Sequence, residues 1–170
     1  MTSTPMLIGV DWGGTKIEVV AMTADGTELL RIREHMIRRG PDGAGLWIAD
    51  SGRIGLAHRR LAIIDLTEAG AQPMGNADGT LIVSFNGEIY NYVELRTKLL
   101  ARGHRLTTQG DTEVLVHLYE DFGTEMLQHL RGMFAFAIWD ERAGVLWCAR
   151  DRFGIKPFYF YRSAGLFVFA

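Results

Sequence analysis

Three short stretches of this chain set polar groups at the ends of apolar runs. In "SFNGEIYNY" an apolar strand leads into Asn86, Gly87 and Glu88. The Asn86 amide and the Gly87 backbone N–H can converge on one oxygen, the equipment of an oxyanion site, and glycine permits close approach. The same Asn-Gly pair is also the strongest dipeptide signal for a hairpin turn. In "AHRRLAIIDL", Arg60 precedes an apolar run, where its fork either clamps a carboxylate through two hydrogen bonds or lies on the surface. In "QGDTEV", Asp111 stands at a helix start, suited to capping that helix or to holding an ammonium group. A cationic clamp, an amide donor and an anionic clamp together match an α-amino acid that carries a side-chain amide. A fourth stretch, "IGVDWGGTKIE", has the form of a phosphate cradle, with Asp11, Gly13, Gly14, Thr15 and Lys16 following an apolar strand.

These residues need elements to hold them. Residues 7–11 and 16–22 read as a β-hairpin around the glycine turn. "TELLRIREHMIRR" is ambivalent: Leu30 and Ile32 alternate as in a strand, whereas Leu29, Ile32 and Met36 are spaced as on one helix face. Short strands are expected at 46–49 and 54–58, and a buried strand at 81–86 ending in a polar elbow. Two helices follow. One carries Tyr92, Leu95, Leu99 and Leu100 and stops at Gly103. The other carries Val114, Leu115, Leu118, Tyr119 and Phe122, stops at Gly123, and has Asp111 or Thr112 as its cap. "MFAFAIWD", "VLWCAR", "PFYFY" and "LFVFA" complete the chain as strands. Strands, then helices, then strands again imply layers of helix over sheet.

The chain has 170 residues, 48% of them hydrophobic, enough for one well-cored domain. A net charge of -2 leaves no electrostatic footprint for nucleic acid, and the local run Arg31, Arg33, Arg38 and Arg39 reads as a solvated face. Cys148 is the single cysteine, so an internal disulfide and a multi-cysteine zinc site are both excluded, and no metal ligands are assigned. There is no secretory leader pattern and no apolar run near the roughly 20 residues of a membrane span. The expected setting is the cytoplasm, with no membrane partner.

"RRGPDGAGLW", "AHRRLAIIDL", "GAQPM", "SFNGEIYNY", "GDTEV", "LRGMFAFAIWD" and "ARDRFGIKPFYF" follow one another in an order that closely resembles the glutaminase domain of glutamine-dependent asparagine synthetases, the class II glutamine amidotransferases. The resemblance spans residues 36–170. It implies an α+β fold of the N-terminal nucleophile hydrolase type, a four-layer αββα sandwich with antiparallel sheets. It also implies that L-glutamine is held by Arg60, Leu61, Ile63, Ile64, Asn86, Gly87, Glu88 and Asp111, with Asn86 and Gly87 as the oxyanion hole. "RDRFGIKP" would face the partner synthetase domain of full-length relatives. No cofactor is implied for the glutaminase half, while ATP and magnesium belong to that synthetase domain. A homodimer is one option for assembly.

Two departures stand out. Arg38 occupies the place where the family usually has histidine. The family's nucleophile is a cysteine at the mature N-terminus, with its own α-amine as base, whereas this chain begins Met1-Thr2. Loss of Met1 would expose Thr2 as a remote substitute, but it precedes the first strand by five residues, with Pro5 between. Cys148, inside an apolar strand, reads as a structural thiol. Residues 6–34 resemble the opening of sugar kinases of the repressor, open-reading-frame and kinase family, where Asp11 would orient metal and phosphates. The rest of such a kinase has no counterpart in the chain. The expectation is therefore a segment 1–35 merged into the sheet of a 36–170 amidotransferase domain truncated before its synthetase part, with glutaminase activity weak or absent. A glutamine-binding pseudoenzyme, a fusion without function and a kinase remnant are the alternatives.

Overall fold

The structure, a computed structural model, describes residues 6–10 and 27–170, the former as backbone only. In chain order the elements are β1 (Met6–Val10), α1 (Thr27–His35), β2 (Gly43–Ile48), β3 (Ile54–Arg60), β4 (Met74–Gly75) and β5 (Leu81–Ile89). Then come α2 (Tyr92–Ala101), α3 (Thr112–Phe122), β6 (Gly132–Asp140), β7 (Val145–Arg150), β8 (Phe160–Ser163) and β9 (Leu166–Phe169). The strands form a five-stranded sheet, β2-β3-β1-β9-β8, and a four-stranded sheet, β4-β5-β6-β7. The first is mixed: β1 runs parallel to both of its neighbours, Leu7 opposite Ile54 and Phe167, and the remaining pairs in both sheets are antiparallel.

Strand alternation explains the layering. In β3, Ile54 and Leu56 point between the sheets and meet Ile82, Ala137, Trp139 and Phe169, whereas Ala57 faces outward with Val168 against α1. The ambivalent segment resolves as helix because Leu29, Ile32 and Met36 are all buried there, at 0%, 6% and 3% exposure, on the outer face of the mixed sheet. Gly55 makes the close approach possible: a Cβ there would come within 2.9 Å of Leu29. On the far side, Leu95, Leu99, Val114, Leu115 and Leu118 of α2 and α3 cover Val83, Phe85, Phe134, Phe136 and Ile138. The order is helix, sheet, sheet, helices.

The expected α2 stripe loses one member. Leu100 is 53% exposed because, next to buried Leu99, it points about 100° around the helix. The strand expected at 81–86 runs on to Ile89 without an elbow, and β4 went unread because two residues give no periodicity. The second hairpin strand at 16–22, the residues Asp11, Gly13, Gly14, Thr15 and Lys16, and Thr2 all lie outside the described residues. Among the described residues no helix is long and apolar enough to cross a membrane.

Candidate functional site

The C-terminal end of β3, the loop after it, the outer edge of β5 and the start of α3 enclose a cavity of about 340 Å³. That lies toward the small end of the roughly 300–1,000 Å³ typical of small-molecule sites. Arg60, Leu61, Ile63, Ile64, Asn86, Gly87, Glu88 and Asp111 all line it, together with His58, Gln72 and Thr112.

The Asn-Gly pair is not a turn. β5 stays in register with β6 straight through it, Asn86 opposite Ala135, Gly87 opposite Phe134, and on to Ile89 opposite Gly132. Alternation along an antiparallel strand sends the N–H and C=O of every second residue to the same edge. Phe134 uses both of its backbone groups toward Asp151, its O accepting from Asp151 N at 2.7 Å and its N–H donating to Oδ2 at 3.3 Å. Phe85, Gly87 and Ile89 of β5 therefore turn theirs to the outer edge.

That edge is finished by side chains where β4 ends. The Gln72 carboxamide pairs with Phe85 like a short piece of strand, Oε1 accepting from Phe85 N at 2.7 Å and Nε2 donating to Phe85 O at 3.1 Å. Asp111 Oδ2 accepts from Ile89 N at 2.9 Å. Between these two anchors the Gly87 N–H faces the cavity. Gly87 has φ +154°, and a Cβ there would meet Met133 O at 2.2 Å, so only glycine fits.

The capping role considered for Asp111 is not the one it plays. It sits at the N-cap position of α3 without a side-chain cap hydrogen bond and spends its carboxylate on β5. Burial pushes its pKa up; the Ile89 N–H opposes that and the nearby Glu88 charge adds to it. The α3 start is held by Glu113, which accepts from the N–H and hydroxyl groups of both Thr107 and Thr108 at 2.7–2.9 Å.

Arg60 is part-buried and positioned. Its Nη1 donates to Thr67 O at 2.7 Å, its Nη2 donates to Asp65 O, and the guanidinium lies against Gly70, where a Cβ would fall 2.4 Å from Nη2. Each terminal nitrogen carries two hydrogens, so one N–H per nitrogen remains for a ligand. Asp65 ties this loop to the α3 side by accepting from Gln109 N at 2.9 Å, and hydrogen bonds led by the Thr67 hydroxyl lower its pKa to about 2. The "RGPD" loop braces the same segment from behind: Arg59 Nε donates to Gly40 O at 3.0 Å and Ala62 N to Asp42 Oδ2 at 2.9 Å.

Leu61 and Ile63 stand 56% and 74% exposed, so they form the rim of the cavity, with Ile64 deeper. His58 is buried at the inner wall, and burial followed by the Arg60 charge lowers its pKa to about 4, leaving a neutral imidazole there. Sequence reasoning gave no role to His58 or Gln72, although both sit in stretches it singled out. For His58 the signal was a polar residue inside an apolar run; Gln72 had none. Cys148 lies between the sheets beside Trp139 and Leu146, and burial pushes its thiol up to about 12.

Comparison with known proteins gives the family and the fold. The family profile described as glutamine amidotransferase domain matches residues 15–170. It thus takes in most of the segment that resembles a sugar kinase, and that kinase resemblance gains no support. Asparagine synthetase [glutamine-hydrolyzing] 1 of Bacillus subtilis strain 168 is 48% identical over 142 residues, covering 83% of this chain and 22% of that protein. Asparagine synthetase [glutamine-hydrolyzing] 3 of the same organism is 40% identical over 141 residues, covering 82% and 22%. The chain therefore spans between a fifth and a quarter of the length of these relatives. Among solved structures, the glutamine phosphoribosylpyrophosphate amidotransferase of B. subtilis complexed with ADP and GMP superposes with a TM-score of 0.61 at 24% identity, covering 75% of this chain and 35% of that one. That likeness speaks for the α+β N-terminal nucleophile hydrolase fold. The chain belongs to the glutamine amidotransferase domain family.

Proposed function

We propose that the cavity is a glutamine site in which the substrate's charged end and its amide are held apart. The free N–H groups of Arg60 take the α-carboxylate. Glu88 and Asp111 take the α-ammonium. Asn86 and the Gly87 N–H receive the side-chain carbonyl oxygen, and Leu61, Ile63 and Ile64 close over the methylenes. The observation that carries this reading is the outer edge of β5, where Gln72 and Asp111 occupy the N–H groups on either side of Gly87 and leave that of Gly87 to the cavity. An amide carbonyl seated there gains most hydrogen-bond strength as it becomes an oxyanion.

Recognition and hydrolysis separate in this chain. Its one cysteine is partly buried between the sheets, and among the described residues no cysteine lines the cavity. We read residues 1–35 as part of the same unit and the chain as a glutamine binder with slow hydrolysis. Titration calorimetry with glutamine on the parent and on Arg60→Ala tests the first part, and glutamate release tests the second. Absence of heat at millimolar glutamine rejects the site, and turnover at the rates ordinary for amidotransferases rejects slow hydrolysis.

The relatives are named as glutamine-hydrolysing asparagine synthetases, which supports a role beside a synthetase domain. In that setting residues 150–157 are the contact. Asp151 organises them by accepting from the backbone N–H groups of Phe153, Ile155 and Lys156 at 3.0 Å. Phe153 and Ile155 are left 90% and 57% exposed, while Lys156 reaches the cavity wall.

A further inference from the structure

Away from the cavity, the junction after α2 meets the flank of α3 at a second polar cluster. His104 follows the end of α2, and His117 and Glu120 lie one turn apart on α3. Both imidazoles turn Nδ1 inward, 3.1 Å from each other. Glu120 Oε2 lies 2.8 Å from His117 Nδ1 and 3.5 Å from His104 Nδ1. We propose that His104 Nδ1, His117 Nδ1 and Glu120 Oε2 hold a divalent zinc-type ion, with water in the fourth position.

The spacing is that of a tetrahedral site. Zinc bonds of about 2.0–2.1 Å put neighbouring ligand atoms roughly 3.3 Å apart, and the three separations here run from 2.8 to 3.5 Å. Two imidazoles with one carboxylate select zinc and its transition-metal neighbours over magnesium or calcium, which take oxygen. Supporting contacts fix two of the three ligands. His104 Nε2 lies 3.0 Å from Asp121 Oδ1, whose other oxygen accepts from Arg102 Nε at 2.5 Å. Glu120 Oε1 accepts from Asn76 Nδ2 at 2.9 Å. With Nε2–H of His104 donating to Asp121, a neutral His104 presents the Nδ1 lone pair inward, the state that a metal requires. Hydrogen bonding alone satisfies this trio poorly. His104 Nδ1 and Glu120 Oε2 are both acceptors, and His117 Nδ1 has one hydrogen to share between them, whereas a cation satisfies all three at once. The side chains of His104 and His117 are only 16% and 11% exposed, and Glu120 at 30% opens one side to solvent for the water.

The ion would pin the α2–α3 junction to α3, so its effect is on stability and not on the glutamine cavity. The test uses protein without a histidine tag, zinc chloride as the only ligand, calorimetry and thermal melting. One zinc should bind per chain, and at a thousandfold excess over Kd the melting midpoint should rise on the order of 10 °C. Cobalt(II) should give the intense visible absorption of a tetrahedral site. Glu120→Gln, at a partly exposed position, should weaken zinc on the order of tenfold, and His104→Ala or His117→Ala on the order of a hundredfold. His35→Ala should bind as the parent does. No saturable binding by 100 μM zinc (roughly the weak limit for a three-ligand site), a pale octahedral cobalt spectrum, or affinity retained in His104→Ala and His117→Ala overturns the proposal.

Discussion

Replacing Gln72 with leucine removes a carboxamide and keeps nearly the same volume. Two buried backbone groups, the N–H and C=O of Phe85, lose partners now at 2.7 and 3.1 Å. The Gln72 side chain is 8% exposed and Phe85 4%, so water does not readily replace it. An unpaired buried polar group destabilises by about 1–3 kcal/mol, and the two together by about 2–6 kcal/mol. In a domain of this size that lowers the melting midpoint by roughly 5–15 °C. Gln72→Glu is the informative companion. Its carboxylate still accepts from Phe85 N but sets an oxygen against Phe85 O, so it should be destabilised nearly as much. Urea unfolding gives both stabilities. Glutamine calorimetry on the folded variants then reads the edge itself: Asn86 and Gly87 follow Phe85 directly, so affinity should fall by about tenfold for each 1.4 kcal/mol of lost positioning. A Gln72→Leu protein within 0.5 kcal/mol of the parent (about the spread of neutral surface changes) would refute the claim that this side chain completes the β5 edge.

Gly87→Ala should be more severe for the site than for the fold: its Cβ would overlap Met133 O, so calorimetry should show glutamine binding abolished even where unfolding shows a folded protein. Asp111 must be ionised to hold an ammonium, and its pKa is raised by burial. Glutamine affinity should therefore begin to fall at a pH above the ordinary aspartate value of 3.8, and Asp111→Asn should be weak and flat over the same range. Asp65 is the opposite case, with a folded pKa of about 2. Its contribution to stability is full above 3.8 and lost as pH falls through about 2, so the stability gap between parent and Asp65→Asn should close over that window in acid unfolding experiments. Phe153→Ser should change the stability of this chain by less than about 0.5 kcal/mol, because the ring is 90% exposed; a larger loss by urea unfolding would show that the ring packs on the domain.

The layers were legible because burial has a period. α3 and the long strands β5 and β6 each face one way for long enough to be read, and the motifs around them placed the cavity residues. What escaped was set by tertiary neighbours. Asn86-Gly87 reads locally as a turn, and only pairing with β6 through Ile89 makes it a strand edge. Asp111 reads as a cap, and only the outward Ile89 N–H gives its carboxylate a better partner. Gln72 sits in a stretch too short and irregular to carry a pattern, and its role exists only because β4 ends before Phe85. His104 and His117 are separated by a helix start, so nothing local announces that their rings meet at 4.8 Å.

The position of β1 has a consequence for the order of assembly. It is the middle strand of its sheet, held on one side by β3 and on the other by β9, whose residues 166–169 are far from it in sequence. Until β9 exists, β1 has only one neighbour, and the sheet cannot close. Such long-range closure is slow, and the waiting edge is open to other strands. The four-stranded sheet, built from 74–150 alone, has no such dependence. During synthesis the half that carries Asn86 and Gly87 can therefore form first, and the wall that carries Arg60 is locked against it only when β9 arrives.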